Sequence, residues 1–382
     1  MAHRTIINEM SYFGEGAVLR IAGEIRDRGL KKALVVTDKD LIRFKVATRV
    51  TDQLEQAGIA YGVFDDVHPN PTIANVLDCL AKCRAEGADV LVAVGGGSAI
   101  DTSKAVGIIA ANPEFSDVRS LEGARTRNKS VPVIAVSTTA GSGAEVTTVY
   151  VISDEENKRK FVCADPNAIP TVAIVDPDMM SSMPRGLTAA TGMDALTHAI
   201  EAYLTRDAWE LTDSLAIKAI EIISRSLRSA VNGGPNGRKD MALGQYMAAM
   251  AFSNAGLGIT HSMAHALGAL YNTPHGVANA ILLPGVMAYN ADVSGSRYAR
   301  IAKAMGVPGA EDMSTDEYRR AAIDAVKLLN ADIGIPPRLR EVGAQEEDIP
   351  FLAAAAMEDF CLPGNPKTPT LEDIESLYRS ML

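Results

Sequence analysis

The sequence predicts an α/β domain built on a parallel sheet, followed by an all-helical domain. Three observations carry that prediction. Across residues 1–184, short β-branched runs alternate with helical patterns, as in strand–helix–strand units whose strands run parallel. Those runs are apolar throughout instead of alternating, as befits strands covered on both faces. From Leu187 onward the strand signal stops and apolar residues recur at helical spacing. At 382 residues the chain exceeds one typical hydrophobic core. Two domains, 1–184 and 185–382, are therefore expected, joined near "DMMSSMPRGL", with a small-molecule site in the cleft between them.

The first strand signal is "KALVVTD" (32–38), followed by a helical stretch to Gly58. Then come "AYGVFDDV" (60–67) and a helix, "NVLDCLAKCRAEG". "ADVLVAV" (88–94) leads through a glycine turn into "SAIDTSKAVGIIAA", and "VPVIAVST" (131–138) and "TVAIVDP" (171–177) read as further strands. In the second half, "TDSLAIKAIEIISRSLRSAV" (212–231) is an amphipathic helix stopped by "NGGP". "DMALGQYMAAMAFSNAG" (240–256) is apolar and rich in small residues, so it reads as buried. "STDEYRRAAIDAVKLLN" (314–330) opens with a capping box, Ser314 and Glu317, and ends before "GIPP". "LEDIESLYRSML" closes as a short amphipathic helix.

Composition excludes several classes of function. A net charge of −10 leaves no basic surplus to neutralise nucleic-acid phosphates. No run of about eighteen apolar residues offers a membrane span, and "MAHRTIINEMSYFGEG" lacks the pattern of a signal peptide. A cytoplasmic protein is expected. Of the four cysteines, Cys79 and Cys83 sit four apart on a helix; without a second thiol pair they read as buried helix residues in a reducing compartment.

Gly95, Gly96 and Gly97 lie directly between a strand and a helix. Glycines let backbone approach a diphosphate, and the amides at a helix start supply donors and a favourable dipole. Ser98 is a plausible N-cap, with Asp101 completing a capping box. The loop is neither G-x-G-x-x-G, since Ile100 stands where the third glycine would be, nor a Walker A loop. Asp38 ends its strand, where a carboxylate either accepts from a ribose diol or caps the next helix. Thr138 and Thr139 end another strand and lead into "AGSGAE". In open parallel sheets ligands collect at the carboxyl ends of strands, which is where all these residues fall.

Four of the six histidines lie in the second half: His198, His261, His265 and His275. "GMDALTHAIEAY" puts Asp194 and His198 four apart on one helix face, and "HSMAHALGALYNTPHG" does the same for His261 and His265. A lone carboxylate on an apolar face is costly to bury, and a metal ion offsets that cost. One carboxylate and three imidazoles suit Fe2+ or Zn2+, with one histidine left for proton traffic. The zinc-protease motif is absent because Ser262 follows His261.

At these residues the chain resembles the iron-dependent (group III) alcohol dehydrogenases, and within them the lactaldehyde reductase (propanediol oxidoreductase) branch. The resemblance runs over nearly the whole chain through "FGEGA", "GGGSAIDTSKA", "TTAGSGAEVT", "ATGMDALTHAIEAY", "YNTPHGVANAILLP" and "GNPKTPTLEDI". It implies a Rossmann-like sheet plus a helical domain, the dehydroquinate synthase-like fold, and a cytoplasmic homodimer or larger oligomer. It further implies metal ligands at Asp194, His198, His261 and His275, and a proton-transfer histidine, His265, beside the nicotinamide. NAD contacts would fall on Asp38, Asn70, Gly96, Gly97, Ser98, Thr138, Thr139 and Lys160. The implied activity is NAD(H)-dependent, Fe2+-dependent interconversion of small primary alcohols or diols and aldehydes. Phe252 and Cys361 match pocket-lining positions. Val149 stands where the branch has asparagine, Gly285 where the family has histidine, and Ser262 where it has glycine. Val149 removes a hydrogen-bonding group from the substrate pocket and so weighs against a 1,2-diol preference. The alternatives are a zinc glycerol dehydrogenase-like enzyme of the same superfamily and a non-catalytic nucleotide-binding protein.

Overall fold

The computed structural model describes residues 2–157 and 159–382. The chain divides into two compact units, 1–139 with 143–182, and 140–142 with 183–382.

The first unit contains β1 (Met10–Phe13), α1 (Ile21–Asp27), β2 (Lys32–Val36), α2 (Lys39–Arg43), α3 (Thr48–Gln56), β3 (Ala60–Phe64) and α4 (Ile73–Glu86). These are followed by β4 (Val90–Gly95), α5 (Gly97–Ala111), β5 (Val133–Ser137), β6 (Val149–Asp154), β7 (Arg159–Ala164) and β8 (Val172–Val175). Six strands form one sheet in the order β1-β8-β5-β4-β2-β3, every pair parallel. Its central strands feed two cores by alternation. Leu34, Val36, Leu91, Ala93, Val133 and Ala135 pack on one face, and Ala33, Val35, Val90, Val92, Val94, Ile134 and Val136 on the other. Both faces are covered, which explains runs with no polar alternation.

Three features depart from the sequence reading. β1 is a short edge strand with mostly exposed residues, so it carries no hydrophobic run to betray it. β6 and β7 form a separate antiparallel hairpin whose residues alternate between buried and half-buried. The helix expected up to Gly58 is two helices, α2 and α3, divided by a turn with Lys45 at φ 59.

The second unit is helical: α6 (Arg185–Leu204), α7 (Glu210–Val231), α8 (Pro235–Ala255), α9 (Ile259–Tyr271) and α10 (His275–Asn290), then α11 (Arg297–Ala304), α12 (Thr315–Ile333), α13 (Ile349–Met357) and α14 (Leu371–Met381). α6 packs against α7, α8 and α10, and from Thr188 to Leu204 every residue but Thr191 is buried. The capping box at Ser314 and Glu317 forms. Pro284 lies inside α10. It has no N–H to offer the Ala280 carbonyl one turn back, and Asn330 Nδ2 on α12 donates to that carbonyl at 2.6 Å instead. Gly285 adjoins the tail: a Cβ there would lie 2.4 Å from the Met381 sulfur, so a larger residue needs the Met381 side chain to move.

Candidate active site

Topology brings the first group of candidates together. After β3 the chain returns to place β4 on the other side of β2, so the order reverses between β2 and β4, where crevices form in open sheets. Asp38 follows β2, Gly96 and Gly97 follow β4, and Thr138 and Thr139 follow β5. Thr138 N donates to the Gly95 carbonyl at 3.0 Å, and a Cβ on Gly96 would lie 3.1 Å from the Thr139 side chain. The two loops therefore touch.

Within the glycine turn one expectation fails. Gly96, extended, is the N-cap of α5, and Ser98 lies inside the helix. No capping box forms, because Asp101 turns inward and accepts from Val151 N at 3.0 Å. Glycine supplies no capping side chain, so the first-turn amides of α5 have none above them. Buried Lys104 donates to Thr147 Oγ1 at 2.9 Å and to the Val149 carbonyl at 2.8 Å. Burial pushes Lys104 down to about 8 and Asp101 up to about 6, each opposed by the other's charge.

Asp38 does cap α2, its Oδ1 accepting from Leu41 N at 2.9 Å. Lys160 and Asn70, far apart in sequence, meet: Nζ donates to Asn70 Oδ1 at 2.8 Å, with Asn70 in the left-handed region at φ 55. Burial lowers the Lys160 ammonium's pKa. Val149, half-buried, is the first residue of β6. Cys79, Cys83, Cys163 and Cys361 are all buried and free.

The second group lies wholly in the helical unit. α6 presents Asp194 and His198 from one face, and α9 presents His261 and His265. Asn272, left-handed at φ 53, ends α9, and Pro274 precedes His275, the first residue of α10. This turn folds α10 back so that His275 returns beside His261. The return is close: a Cβ on Gly276 would fall 2.1 Å from the Ala190 carbonyl of α6, so no other residue fits there.

The donor atoms of Asp194, His198, His261 and His275 all lie within 4.8 Å of one another. Asp194 Oδ1 is 3.5 Å from His275 Nε2 and 3.9 Å from His261 Nε2. The rings of His198 and His261 stack with centroids 4.6 Å apart, and Phe252 also stacks on His198, at 4.3 Å. Asn279, one turn after His275, places Nδ2 2.8 Å from Asp194 Oδ1, 3.2 Å from His261 Nε2 and 3.1 Å from His275 Nε2.

Electrostatics leaves these groups in a state that could hold a metal ion. Burial pushes the Asp194 carboxyl up, but the imidazoles of His198, His275 and His261 and the Asn279 amide outweigh it and hold it below its ordinary value. Burial depresses His198 to about 4 and His275 well below its ordinary value, against the pull of Asp194. At neutral pH the carboxylate is ionised and both these rings are neutral with lone pairs to give, the state that metal binding requires.

His265 stands apart from that set. Its Nδ1 lies 2.8 Å from Asp359 Oδ2, and its ring stacks on His275 with centroids 5.3 Å apart. Cys361 N donates to Asp359 Oδ1 at 2.8 Å, and His265, Asp359 and Cys361 form a second compact cluster of donor atoms. Burial raises the Asp359 carboxyl, and His265, Cys361 N–H and the Ser262 hydroxyl more than reverse it. Burial raises the Cys361 thiol well above its ordinary value, so it is a neutral thiol.

Three residues escaped the sequence reading: Asn279, Asp359 and Glu201, whose carboxylate touches His261 Nδ1 at 2.6 Å. Glu201 was findable, lying seven residues after Asp194 on the same buried face of α6. Asn279 follows His275 at helical spacing. Asp359 is 94 residues from His265 and gives no local signal.

Comparison with known proteins accords with this arrangement. Residues 8–177 match the iron-containing alcohol dehydrogenase model, and residues 188–382 match the C-terminal model of the Fe-containing alcohol dehydrogenase family. The chain is 58% identical to the lactaldehyde reductase of Escherichia coli over 381 residues, covering 100% of both. It is 43% identical to the 1,3-propanediol dehydrogenase of Citrobacter freundii, covering 98% of this chain and 97% of that one. Among solved structures, a 1,3-propanediol oxidoreductase superposes with a TM-score of 0.96 at 41% identity, and an alcohol dehydrogenase from Oenococcus oeni with 0.96 at 38%, each over 100% of both chains. The chain belongs to the iron-containing alcohol dehydrogenase family and is an oxidoreductase of that kind.

Proposed function

We propose that this enzyme interconverts small primary alcohols or diols and their aldehydes, with NAD(H) as hydride carrier and Fe2+ at Asp194, His198, His261 and His275. The observation that carries the reading is the convergence of those four donor groups within 4.8 Å, three imidazoles and one ionised carboxylate. That donor set fits a divalent first-row ion; Zn2+ would accept the same donors. When bound, the ion supplies Lewis-acid polarisation of a substrate oxygen, and NAD supplies the hydride acceptor or donor.

The chain's own residues do the rest. Asp38 would accept from the adenosine ribose through the oxygen its cap leaves over and would repel a 2′-phosphate. The amides of Gly97 and Ser98 at the start of α5, with Gly96 allowing close approach, would hold the diphosphate. Thr138, Thr139 and the Lys160–Asn70 pair would line the same ligand. Phe252 and the neutral Cys361 thiol give the reacting end apolar walls, and Val149 contributes no hydrogen bond to a second hydroxyl. The reading therefore favours simple primary alcohols over 1,2-propanediol, with lactaldehyde a substrate to be tested alongside them. His265, oriented by Asp359, would take the alcohol proton in oxidation and return it in reduction. A soluble cytoplasmic homodimer is the proposed working form; among the described residues no helix is long and apolar enough to cross a membrane.

The test is to strip the purified protein of metal, re-add Fe2+ or Zn2+, and follow NADH absorbance against a panel of small aldehydes. Metal-restored NADH oxidation is expected. No metal-dependent signal on any of them would refute the reading.

A further inference from the structure

Glu201 sits three residues after His198 on α6, and its side chain is 5% exposed. Both of its oxygens are engaged. Oε2 lies 2.6 Å from Nδ1 of His261, and Oε1 accepts the backbone N–H of Thr260 at 2.8 Å. The approach of α9 to this carboxylate depends on Gly258, where a Cβ would lie 3.0 Å from Oε1 and 2.9 Å from Asn365 Oδ1.

The hydrogen-bond chemistry fixes the proton on the ring. An amide nitrogen and an ammonium donate; an ionised carboxylate only accepts. Asn279 Nδ2 faces Asp194 Oδ1 at 2.8 Å, which identifies that end of the amide as the donor, and the same nitrogen faces His261 Nε2 at 3.2 Å. Nε2 must then be the acceptor, so the ring proton is on Nδ1, where Glu201 receives it. A protonated Glu201 would demand the reverse tautomer and set an N–H of the ring against an N–H of Asn279.

We propose that Glu201 is a positioning residue of the metal centre. It fixes His261 in the Nδ1–H tautomer, turns the Nε2 lone pair into the cluster of donor atoms shared with Asp194, His198 and His275, and adds a second buried negative charge behind the ligands. With Asp194 the site then carries two negative charges, matching a dication; a carboxylate behind a ligand histidine also makes its free nitrogen a stronger donor. This role rests on the reading that Asp194, His198, His261 and His275 hold a divalent ion.

The experiment uses Co2+ as a spectroscopic ion on the full-length protein. Metal-free wild type, Glu201→Ala and Glu201→Gln are titrated with Co2+ against a chromogenic chelator, and the visible spectrum of each loaded form is recorded. Glu201→Ala is expected to bind Co2+ about 10- to 100-fold more weakly and to shift the Co2+ bands. Glu201→Gln keeps the shape but loses the charge, and its amide cannot accept from both His261 and Thr260. It should weaken binding as well, by less, and it decides the question alone should Glu201→Ala not fold. Wild-type affinity and spectrum in both variants, even with a lowered melting temperature of the metal-free protein, would mean a merely structural Glu201 and would overturn the role. Failure of wild type to take up Co2+ would overturn the metal centre and the role together.

Discussion

Replacing Asp359 by asparagine tests how the proposed proton carrier is held. Asp359 Oδ2 lies 2.8 Å from His265 Nδ1, and their side chains are only 12% and 18% exposed. A carboxylate there holds the proton on Nδ1, which makes Nε2 the nitrogen that exchanges one. An asparagine can present its NH2 to Nδ1 instead and stabilise the opposite tautomer. A hydrogen bond to a charged partner is worth about 1.5–3 kcal/mol, and about 1.4 kcal/mol corresponds to tenfold in rate. Asp359→Asn should therefore lower kcat about ten- to a hundredfold, with bound metal unchanged because no metal-ligand atom is touched. The assay is steady-state NADH oxidation with an aldehyde, metal content measured in parallel, on wild type, Asp359→Asn, His265→Ala and the double variant. If Asp359 acts through His265, the double variant is no slower than His265→Ala. An undiminished kcat in Asp359→Asn, or a full further loss on top of His265→Ala, would refute the reasoning.

Lys104→Met should cost about 1–3 kcal/mol, because it leaves the Thr147 hydroxyl and the Val149 carbonyl without their buried donor; adding Asp101→Asn, which removes the half-buried carboxylate whose charge Lys104 offsets, should recover only part of that. The single tryptophan, Trp209, lies in the helical unit, so the loss must be read by hydrogen exchange at β6, and a change below about 0.5 kcal/mol would count against the worth of these two bonds. Metal-free protein should lose stability as pH falls from 6.5 to about 4, since the unfolded chain protonates His198 there while the folded chain keeps it neutral. The loss from this residue approaches about 3 kcal/mol, and urea midpoints flat across that range would exclude it. Asp38→Gly should raise use of NADP relative to NAD, and a kcat/KM ratio for the two cofactors that does not move would show that Asp38 only caps α2.

What the sequence reveals follows the range of the interactions. The parallel sheet is legible because its central strands are buried on both faces, and each such strand carries its own apolar run. Asp194 with His198, and His261 with His265, are legible because one turn of helix sets them side by side. The separation between the proposed roles of His261 and His265 is not, since it depends on which carboxylate stands behind each ring. Glu201 reaches His261 from 60 residues away and Asp359 reaches His265 from 94. The β6–β7 hairpin hides for a different reason: its alternation of buried and half-buried positions mixes Val149, Tyr150, Lys160 and Phe161 without a clean polar face. At the glycine turn, a serine three residues before an aspartate reads as a cap. The amide of Val151 claims that aspartate instead.

The proline inside α10 has a reach beyond its own helix. Ala280, whose carbonyl Pro284 leaves without a helical donor, directly follows Asn279, the residue whose amide meets Asp194, His261 and His275. The bond that replaces the missing one comes from Asn330, fifty residues on, in a helix that supplies no ligand. The backbone position of a residue at the heart of the site is thus set partly from α12. Asn330 gives this enzyme an address outside the active site from which the spacing of its donor atoms can be adjusted while every ligand stays the same.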